Sequence, residues 1–313
     1  MAKRMRVTAL APKTIPWDPK MDHQTAVENM IAHWDRWFET VLCDKPDLIV
    51  LPECCDRFGD LFGEDRLEYY RVRGNRVRDH FMEIAKREKV NIAYSAVREL
   101  PDGTFRNSTQ FINRNGGIDG IYNKNYLVVE EYTQYGILYG KDAPIIETDF
   151  GKVGGAICFD LNFEPLRKRY KEQHPELIVF CSVYHGAMMQ NMWAYDCRSW
   201  FVSAVPGEQC TVINPVGTVV ASATNYHPYV TADINLDCKV VHLDYNWEKL
   251  DAVRKKYGKG VTIFDPGYLG SVLLTSECEV SADEMVREFG IELWDDYYAR
   301  AMAARDLPGR MEP

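Results

Sequence analysis

Three short, nearly unbroken apolar runs constrain this chain more than any other feature. Residues 47–51, 152–159 and 177–182 are too short for stable helices and show no polar alternation, so each reads as a strand covered on both faces. Helical patterns lie between them. Ala26, Val27, Met30, Ile31, Trp34, Trp37, Phe38 and Val41 recur at steps of three and four, with Asp22 placed to cap the start. Val77, Phe81, Ile84 and Ala85 mark a second helix, and residues 163–173 and 188–197 two more. Further strands are expected at 5–10, 90–97, 107–113, 118–122, 200–205, 209–214, 217–223 and 229–236. Arg114-Asn115-Gly116-Gly117 reads as the turn of a hairpin. Elements that are apolar on a face need partners there, so the economical solution is a layered α/β body with sheets inside and helices outside.

No internal repeat or low-complexity linker divides the sequence, which predicts one domain over residues 1–275. Residues 276–313 read as a C-terminal extension packing on the same domain or on a partner subunit. In it Ser281 caps a helix through Met285, Val286 and Phe289, and Trp294, Tyr297 and Tyr298 follow. Residues 306–313 are expected to fray.

Charge narrows the partners. Thirty-seven basic residues against 46 acidic ones give a net charge of −9, which disfavours nucleic acid and anionic membrane. No apolar run approaches the roughly 18 residues needed to cross a bilayer. The apolar stretch behind the basic start ends at Pro12, short for a secretion signal, so a cytoplasmic location is expected. The nine cysteines are an odd number without a CxxC pair or zinc-finger spacing, which predicts reduced thiols, no metal and no cofactor.

Three places could carry chemistry. Glu53 follows the strand 47–51 in Leu51-Pro52-Glu53, where partial desolvation would raise its pKa toward that of a working base. Lys124 follows the second hairpin strand, where an ammonium could support an oxyanion. Cys158 ends the run Gly154-Gly155-Ala156-Ile157-Cys158-Phe159-Asp160, with the Phe159 N–H placed to face an oxyanion. Singly, these are a solvated glutamate, a strand-capping lysine and a buried structural thiol. Each lies at the end of its own strand, however, and a nucleophile, a base and an oxyanion support are the parts of an acyl-transfer site.

The same residues resemble the nitrilase-like carbon–nitrogen hydrolases. That family has a Pro-Glu after an apolar strand, a Tyr-x-Lys-x-x-Leu element and a Gly-x-x-Ile-Cys-x-Asp element. Here they are Pro52-Glu53, Tyr122-Asn123-Lys124-Asn125-Tyr126-Leu127 and Gly154 to Asp160, in the same order. Weaker echoes are Arg106-Asn107-Ser108 and Asn214-Pro215-Val216-Gly217, so the resemblance covers roughly residues 5 to 240. It implies an α/β fold, the four-layer αββα sandwich of the nitrilase type, paired into homodimers or larger assemblies. It implies that Cys158 attacks an amide or nitrile carbon, Glu53 shuttles the proton, and Lys124 with the Phe159 N–H holds the oxyanion. Members often carry a second glutamate between lysine and cysteine. Glu131 is the candidate, and local spacing does not separate it from Glu130.

Departures from the family pattern bear on the substrate pocket. Phe163-Glu164-Pro165 exchanges the usual Pro-Glu, and Trp193-Ala194-Tyr195-Asp196-Cys197 replaces an Arg-Ala-x-Glu-Asn element. Phe159, Asn162, Tyr184 and His185 are the expected substrate contacts, His185 having an equal reading as a satisfied loop histidine. Asp160, Leu161 and Asn162 stand where carbamoyl-amino-acid hydrolases place arginines. Arg167 is expected to face solvent or a structural acid, and Arg198 is the alternative source of a pocket arginine. Together with the acidic balance this favours a neutral or cationic small amide. The alternatives are a nitrilase, an N-carbamoyl amidohydrolase, and a non-catalytic binding protein on the same fold. Rapid alkylation of one cysteine by iodoacetamide, as for an activated thiolate, would separate the last from the enzymes.

Overall fold

The strand β1 (Arg4–Leu10) leads to α1 (His23–Leu42). As expected, Asp22 caps this helix, its carboxylate accepting from the Thr25 N–H at 2.9 Å. Trp34 lies on the buried face, and its indole N–H donates to the Cys55 carbonyl, tying α1 to the loop after β2 (Leu48–Val50). Next comes α2 (Gly63–Arg73), which the apolar periodicity does not reveal. The reason is chemical: its buried positions are Arg66, Tyr69, Tyr70 and Arg73, two of them charged. The expected helix around Val77 is α3 (Arg76–Glu88). It is followed by β3 (Asn91–Glu99), β4 (Phe105–Ile112) and β5 (Ile118–Asn123). In the β4–β5 turn the Asn113 N–H donates to the Gly117 carbonyl, and Gly116 supplies the φ of 78°.

A short helix α4 (Val129–Thr133) and strand β6 (Ile146–Glu147) lead to β7 (Lys152–Ile157). This strand stops before the expected residue 159. The Asp160 carboxylate accepts from the Ile157 N–H at 3.0 Å and draws Cys158–Asn162 into a 3₁₀ turn. Then follow α5 (Glu164–Gln173), β8 (Leu177–Cys181), α6 (Met188–Cys197) and β9 (Trp200–Ala204). The strands β10 (Thr211–Ile213), β11 (Val219–Ser222) and β12 (Tyr229–Asn235) complete this part of the chain.

In this computed structural model, which describes residues 2–312, two six-stranded sheets form. Their orders are β12-β1-β2-β3-β4-β5 and β11-β10-β9-β8-β7-β6. Strands β1, β2 and β3 are mutually parallel and β4 and β5 add antiparallel; β7, β8, β9, β10 and β11 repeat that pattern in the second sheet. A topological repeat is therefore present where no sequence repeat is visible. The first sheet is covered by α1 and α3, the second by α5 and α6, and the sheets meet through β2 with β8 and β9 and through β7 with β4 and β5. This is the αββα sandwich.

The chain divides into two compact units: residues 5–234, which hold the sandwich, and residues from 235 on together with the start of the chain through Arg4. The packing boundary thus falls near 234, not at 275. Residues 235–275 carry their own small sheet of β13 (Cys238–His242), β14 (Val261–Phe264) and β15 (Ser271–Ser276), with α7 (Trp247–Tyr257) between the first two strands. The expected tail helix α8 (Ala282–Phe289) and a second helix, α9 (Trp294–Arg305), which the sequence reading did not mark, belong to this unit, whose core joins Val241, Val253, Leu274, Met285 and Ile291. Ser281 caps α8 as expected. Trp294 and Tyr297 stack on His242, at 5.5 and 3.7 Å between ring centroids, leaving Tyr298 exposed. The strand content past 240 escapes the sequence reading because these strands are short and only partly apolar.

The glycines before Cys158 have a packing reason. A Cβ at Gly155 would come within 2.8 Å of the Tyr122 Cβ on β5, so only glycine lets the two sheets approach where β5 and β7 deliver Lys124 and Cys158. Gly155→Ala should therefore destabilise the protein by about 1–3 kcal/mol, the usual cost of overpacking. A urea unfolding midpoint equal to that of the unmodified protein would refute this close approach.

Candidate active site

The strand directions bring the three reactive residues to one edge. Two antiparallel steps from β3 give β5 the same direction as β2, so Glu53 and Lys124 leave the sheet on the same side. Local bonds then fix each segment. Leu51 donates its N–H to the Ala93 carbonyl, and Cys55 donates to the Ser95 carbonyl, so the turn holding Glu53 is pinned at both ends to β3. Lys124 donates its backbone N–H to the Asn107 carbonyl.

Their side chains meet out of solvent. The Lys124 ammonium, 1% exposed, donates to Glu53 Oε1 at 2.8 Å and to Glu131 Oε2 at 2.7 Å. Asn107 Nδ2 reaches Glu53 Oε1 and Glu131 Oε1, each at 2.8 Å, and bridges the two carboxylates. Glu131 and not Glu130 reaches the lysine: Glu131 also accepts from the Val128 N–H at 2.9 Å, while Glu130 is exposed. Glu53 Oε2 is buried and makes no hydrogen bond of normal geometry, and the Cys158 thiol is close enough to act on that carboxylate as a donor.

Cys158 sits in a left-handed conformation, φ 49°, at the start of its 3₁₀ turn. A non-glycine residue there is strained and needs surrounding structure to hold it. Asp160 supplies that structure. It is fully buried and accepts from the Tyr122 hydroxyl at 2.7 Å and from the N–H groups of Asn125, Tyr126 and Ile157 at 3.1, 2.8 and 3.0 Å. One carboxylate thus ties the lysine segment to the cysteine turn. Burial pushes Asp160 up to about 7, against these hydrogen bonds, which favour the ionised form.

The electrostatics differ from the sequence expectation for Glu53. Burial does act to raise its pKa, but the adjacent Lys124 ammonium outweighs it, aided by Arg57 and the Cys158 thiol, and holds the carboxyl below its ordinary range. Burial and then the Glu53 charge push the Cys158 thiol well above its ordinary value, with Lys124 and the Ser182 hydroxyl opposing. Lys124 is held well above its ordinary value: burial acts to lower it, and Glu53 and Glu131 prevail. The resting site therefore holds a neutral thiol beside an ionised carboxylate.

The other expected contacts are spread around the mouth. Phe159 is 39% exposed and meets Phe163 edge-to-face, and Phe163 stacks on Tyr126 at 3.9 Å. Asn162 is exposed; it donates to the Phe159 carbonyl at 3.3 Å and accepts from the Tyr184 hydroxyl at 3.3 Å. His185 is half-buried, and its Nδ1 accepts from the Ala187 N–H at 3.1 Å, the local satisfaction that was its ordinary reading. Arg167 pairs with Asp196 at 2.8 Å, a structural acid as expected. Sequence reasoning gave no role to Asn107, Ser182 or Arg57. Asn107 was visible as part of Arg106-Asn107-Ser108; the other two carry no sequence signal. Cys54, next to Glu53, is pushed up to about 12 by burial. Among the described residues no group of three or more His, Cys, Asp or Glu is arranged to hold a metal ion, and no helix is long and apolar enough to cross a membrane.

This geometry makes the reactivity of Cys158 depend on Glu53. Iodoacetamide should alkylate Cys158 at least tenfold more slowly in Glu53→Gln, with the exposed Cys43 as internal reference. The raised thiol also means that alkylation of the unmodified protein keeps climbing past pH 9, without a plateau set by an ordinary thiol near pH 8.5. Peptide mass spectrometry after timed quenching measures both. Equal rates in the two proteins would remove Glu53 as the proton acceptor.

Comparisons with known proteins show the family and the fold. The carbon–nitrogen hydrolase family matches residues 10–238. The omega-amidase NIT2 of Danio rerio is 24% identical over 214 residues, 60% of this chain and 76% of that protein. The nitrilase homolog 2 of Dictyostelium discoideum is 20% identical over 238 residues, 67% of this chain and 70% of its own. Among solved structures, the carbon–nitrogen hydrolase of Helicobacter pylori superposes with a TM-score of 0.62 at 15% identity, over 82% of this chain and 93% of that one. A mutant amidase of Nesterenkonia sp. AN1, which records Michael addition of acrylamide at its active-site cysteine, gives 0.61 at 14% identity over 74% and 93%. The matched span includes Glu53, Lys124, Glu131 and Cys158, and the chain belongs to the carbon–nitrogen hydrolase family.

Proposed function

We propose that the chain hydrolyses the carbon–nitrogen bond of a small amide through a thioester on Cys158. The observation that carries this reading is the buried array of thiol, carboxylate and ammonium, with Lys124 bonded to both Glu53 and Glu131. The amide carbon is attacked by the Cys158 sulfur while the thiol proton passes to Glu53. Negative charge collects on the former carbonyl oxygen, held by the Lys124 ammonium and the Phe159 N–H, which lies in the first turn of a 3₁₀ helix and has no partner within it. Collapse of this adduct expels the nitrogen, which takes the proton from Glu53 and leaves as ammonia or an amine. Water then gives a proton to Glu53 as its oxygen attacks the thioester, and the departing sulfur recovers that proton. Glu131 and Asn107 act as positioning residues that hold Lys124 and Glu53 in place. Asn162, Tyr184 and His185 border the mouth and are the proposed substrate contacts.

Intact-protein mass spectrometry during turnover should show an acyl adduct that Cys158→Ala lacks, with no ammonia released by that variant. Lys124→Ala should lower kcat by about a hundredfold or more, the usual loss when an oxyanion partner is removed. A folded Cys158→Ala protein that keeps its rate would overturn the mechanism. Parallel assays on the matching nitrile and N-carbamoyl compound separate the nitrilase and carbamoylase alternatives, and the absence of turnover on all three would favour a binding protein.

We also infer a homodimer in a reducing, cytoplasmic setting. In support, α9 and the residues after it expose Tyr298, Met302 and Leu307, and nine free thiols suit a reducing compartment. Light scattering should give twice the 36.1 kDa chain mass. A monomer at micromolar concentration would refute the pairing.

A further inference from the structure

Successive residues of a strand point to opposite faces of its sheet, so the strands that serve the catalytic cluster also build a second surface behind it. On β4, Asn107 reaches Glu53 and Glu131, and its neighbours Arg106 and Ser108 face the other way. On β5, Tyr122 meets Gly155 of the second sheet, which turns Ile121 and Asn123 outward. The pairing register sets Arg98 of β3 opposite Arg106, and Ser108 opposite Asn123, so these four side chains share the outer face. There α3 packs over β3 and β4. At the β4–β5 edge the segment 139–144 borders a cavity of about 580 Å³.

That volume suits a small organic molecule, whose pockets run from about 300 to 1,000 Å³. Leu100, Ile121 and Pro144 supply an apolar wall. The charge of the lining is positive: Arg106 and Lys141 stand against one carboxylate, Asp142. Arg106 uses only Nη1 within the protein, donating to the Thr104 hydroxyl and the Phe105 carbonyl, each at 2.9 Å. Arg98 braces the wall from behind, donating to Ser108 Oγ at 3.0 Å and to Asn123 Oδ1 at 3.3 Å. Among the described residues Arg98, Arg106 and Lys141 form no ion pair. Arg106 acts on Asp102, but that carboxylate is held by the Thr104 N–H and hydroxyl. Like charges directly opposite each other weaken a sheet. Burial, Arg106 and then Arg78 hold Arg98 below its ordinary value, and Arg78 is itself paired with Asp79.

The cavity wall is bonded to the segment that carries Lys124. The Gly140 N–H donates to the Lys124 carbonyl at 2.7 Å, and Asn125 Nδ2 donates to the Asp142 and Asn123 carbonyls at 2.9 and 3.0 Å. A side chain at Gly140 would strike the Asn123 carbonyl, so the loop and the strand end are in direct contact.

We propose that this cavity is an effector site for an organic phosphate, its phosphate joining Arg106 of the sheet to Lys141 of the loop and its body lying on Leu100, Ile121 and Pro144. A phosphate monoester carries about 1.5 to 2 negative charges at pH 7, which matches the single net positive charge of the lining together with that of Arg98. The bridge fastens the segment 139–144 to the sheet. Through the bonds of Gly140 and Asp142 it then holds the backbone from which Lys124 enters the catalytic cluster. The site is separate from Cys158 and does not depend on which reaction Cys158 performs.

Phenyl phosphate is the probe, titrated calorimetrically into the full chain beside inorganic phosphate, phenol and benzoate. It should bind at least about tenfold more tightly than each of the three. Arg106→Met and Lys141→Met should each weaken it about tenfold or more, and Lys152→Met, an exposed lysine at the start of β7, should not. Binding should persist after iodoacetamide has alkylated Cys158, which separates this cavity from the catalytic cluster. In hydrogen-exchange mass spectrometry, bound phenyl phosphate should slow exchange in peptides spanning 122–127 and 138–144. Circular dichroism melts show which variants are folded. Lys141 is exposed, and its variant decides the question if Arg106→Met unfolds. The phosphate site is overturned by absence of binding, by inorganic phosphate, phenol or benzoate binding as tightly, by loss of binding on alkylation, or by an affinity that the folded variants leave unchanged. Binding with unaltered exchange in both peptides overturns the link to Lys124.

Discussion

The buried ammonium of Lys124 holds this site together. Two carboxylates share it, and Asn107 clamps those carboxylates to each other, so no member can be removed without stranding another. Breaking a buried ion pair by deleting one partner typically costs about 3–5 kcal/mol, because the remaining charge stays out of water. The cluster also decides the protonation states. A glutamate buried alone would be protonated and useless as a base; next to Lys124 it is ionised. In the proposed mechanism the same lysine holds the oxyanion, so the group that keeps Glu53 ionised would also stabilise the product of attack.

Cys158 depends on a second carboxylate that never needs to touch substrate. Asp160 gathers four donors from β5, the loop after it and the end of β7. That array stops β7 at Ile157 and supports the positive φ of Cys158. Gly155 contributes from between the sheets, where any side chain would strike Tyr122. Strain at the cysteine, a missing side chain and a buried acid are one device, which brings the end of β7 close to the end of β5.

Around this polar centre the loops present opposite surfaces. Phe159, Tyr184 and the exposed Val183 and Met188 form an apolar border on the side of the second sheet. Arg57 stands on the side of Glu53, whose carboxylate it helps, after Lys124, to keep ionised.

Much of this was legible in the sequence. Apolar runs at 47–51, 152–159 and 177–182, helical stepping in α1 and α3, and the residues Glu53, Lys124 and Cys158 all follow from local pattern, because strand burial and a strand-end reactive group leave marks within a few residues. What lies between elements did not. The choice of Glu131 over Glu130 needed the direction in which α4 presents its first turn. α2 was invisible because it buries arginines and tyrosines, and its apolar periodicity is lost with them. The lowered pKa of Glu53 reversed an expectation drawn from burial alone, since a sequence shows desolvation but not the ammonium 2.8 Å away. Arg57 reads as one charge among 83 in the chain; only its position beside Glu53 sets it apart. Sequence by itself determined which residues could react and on which strands they ride. Tertiary structure decided their charges and their partners, because electrostatic energies depend on distances that long-range packing alone sets.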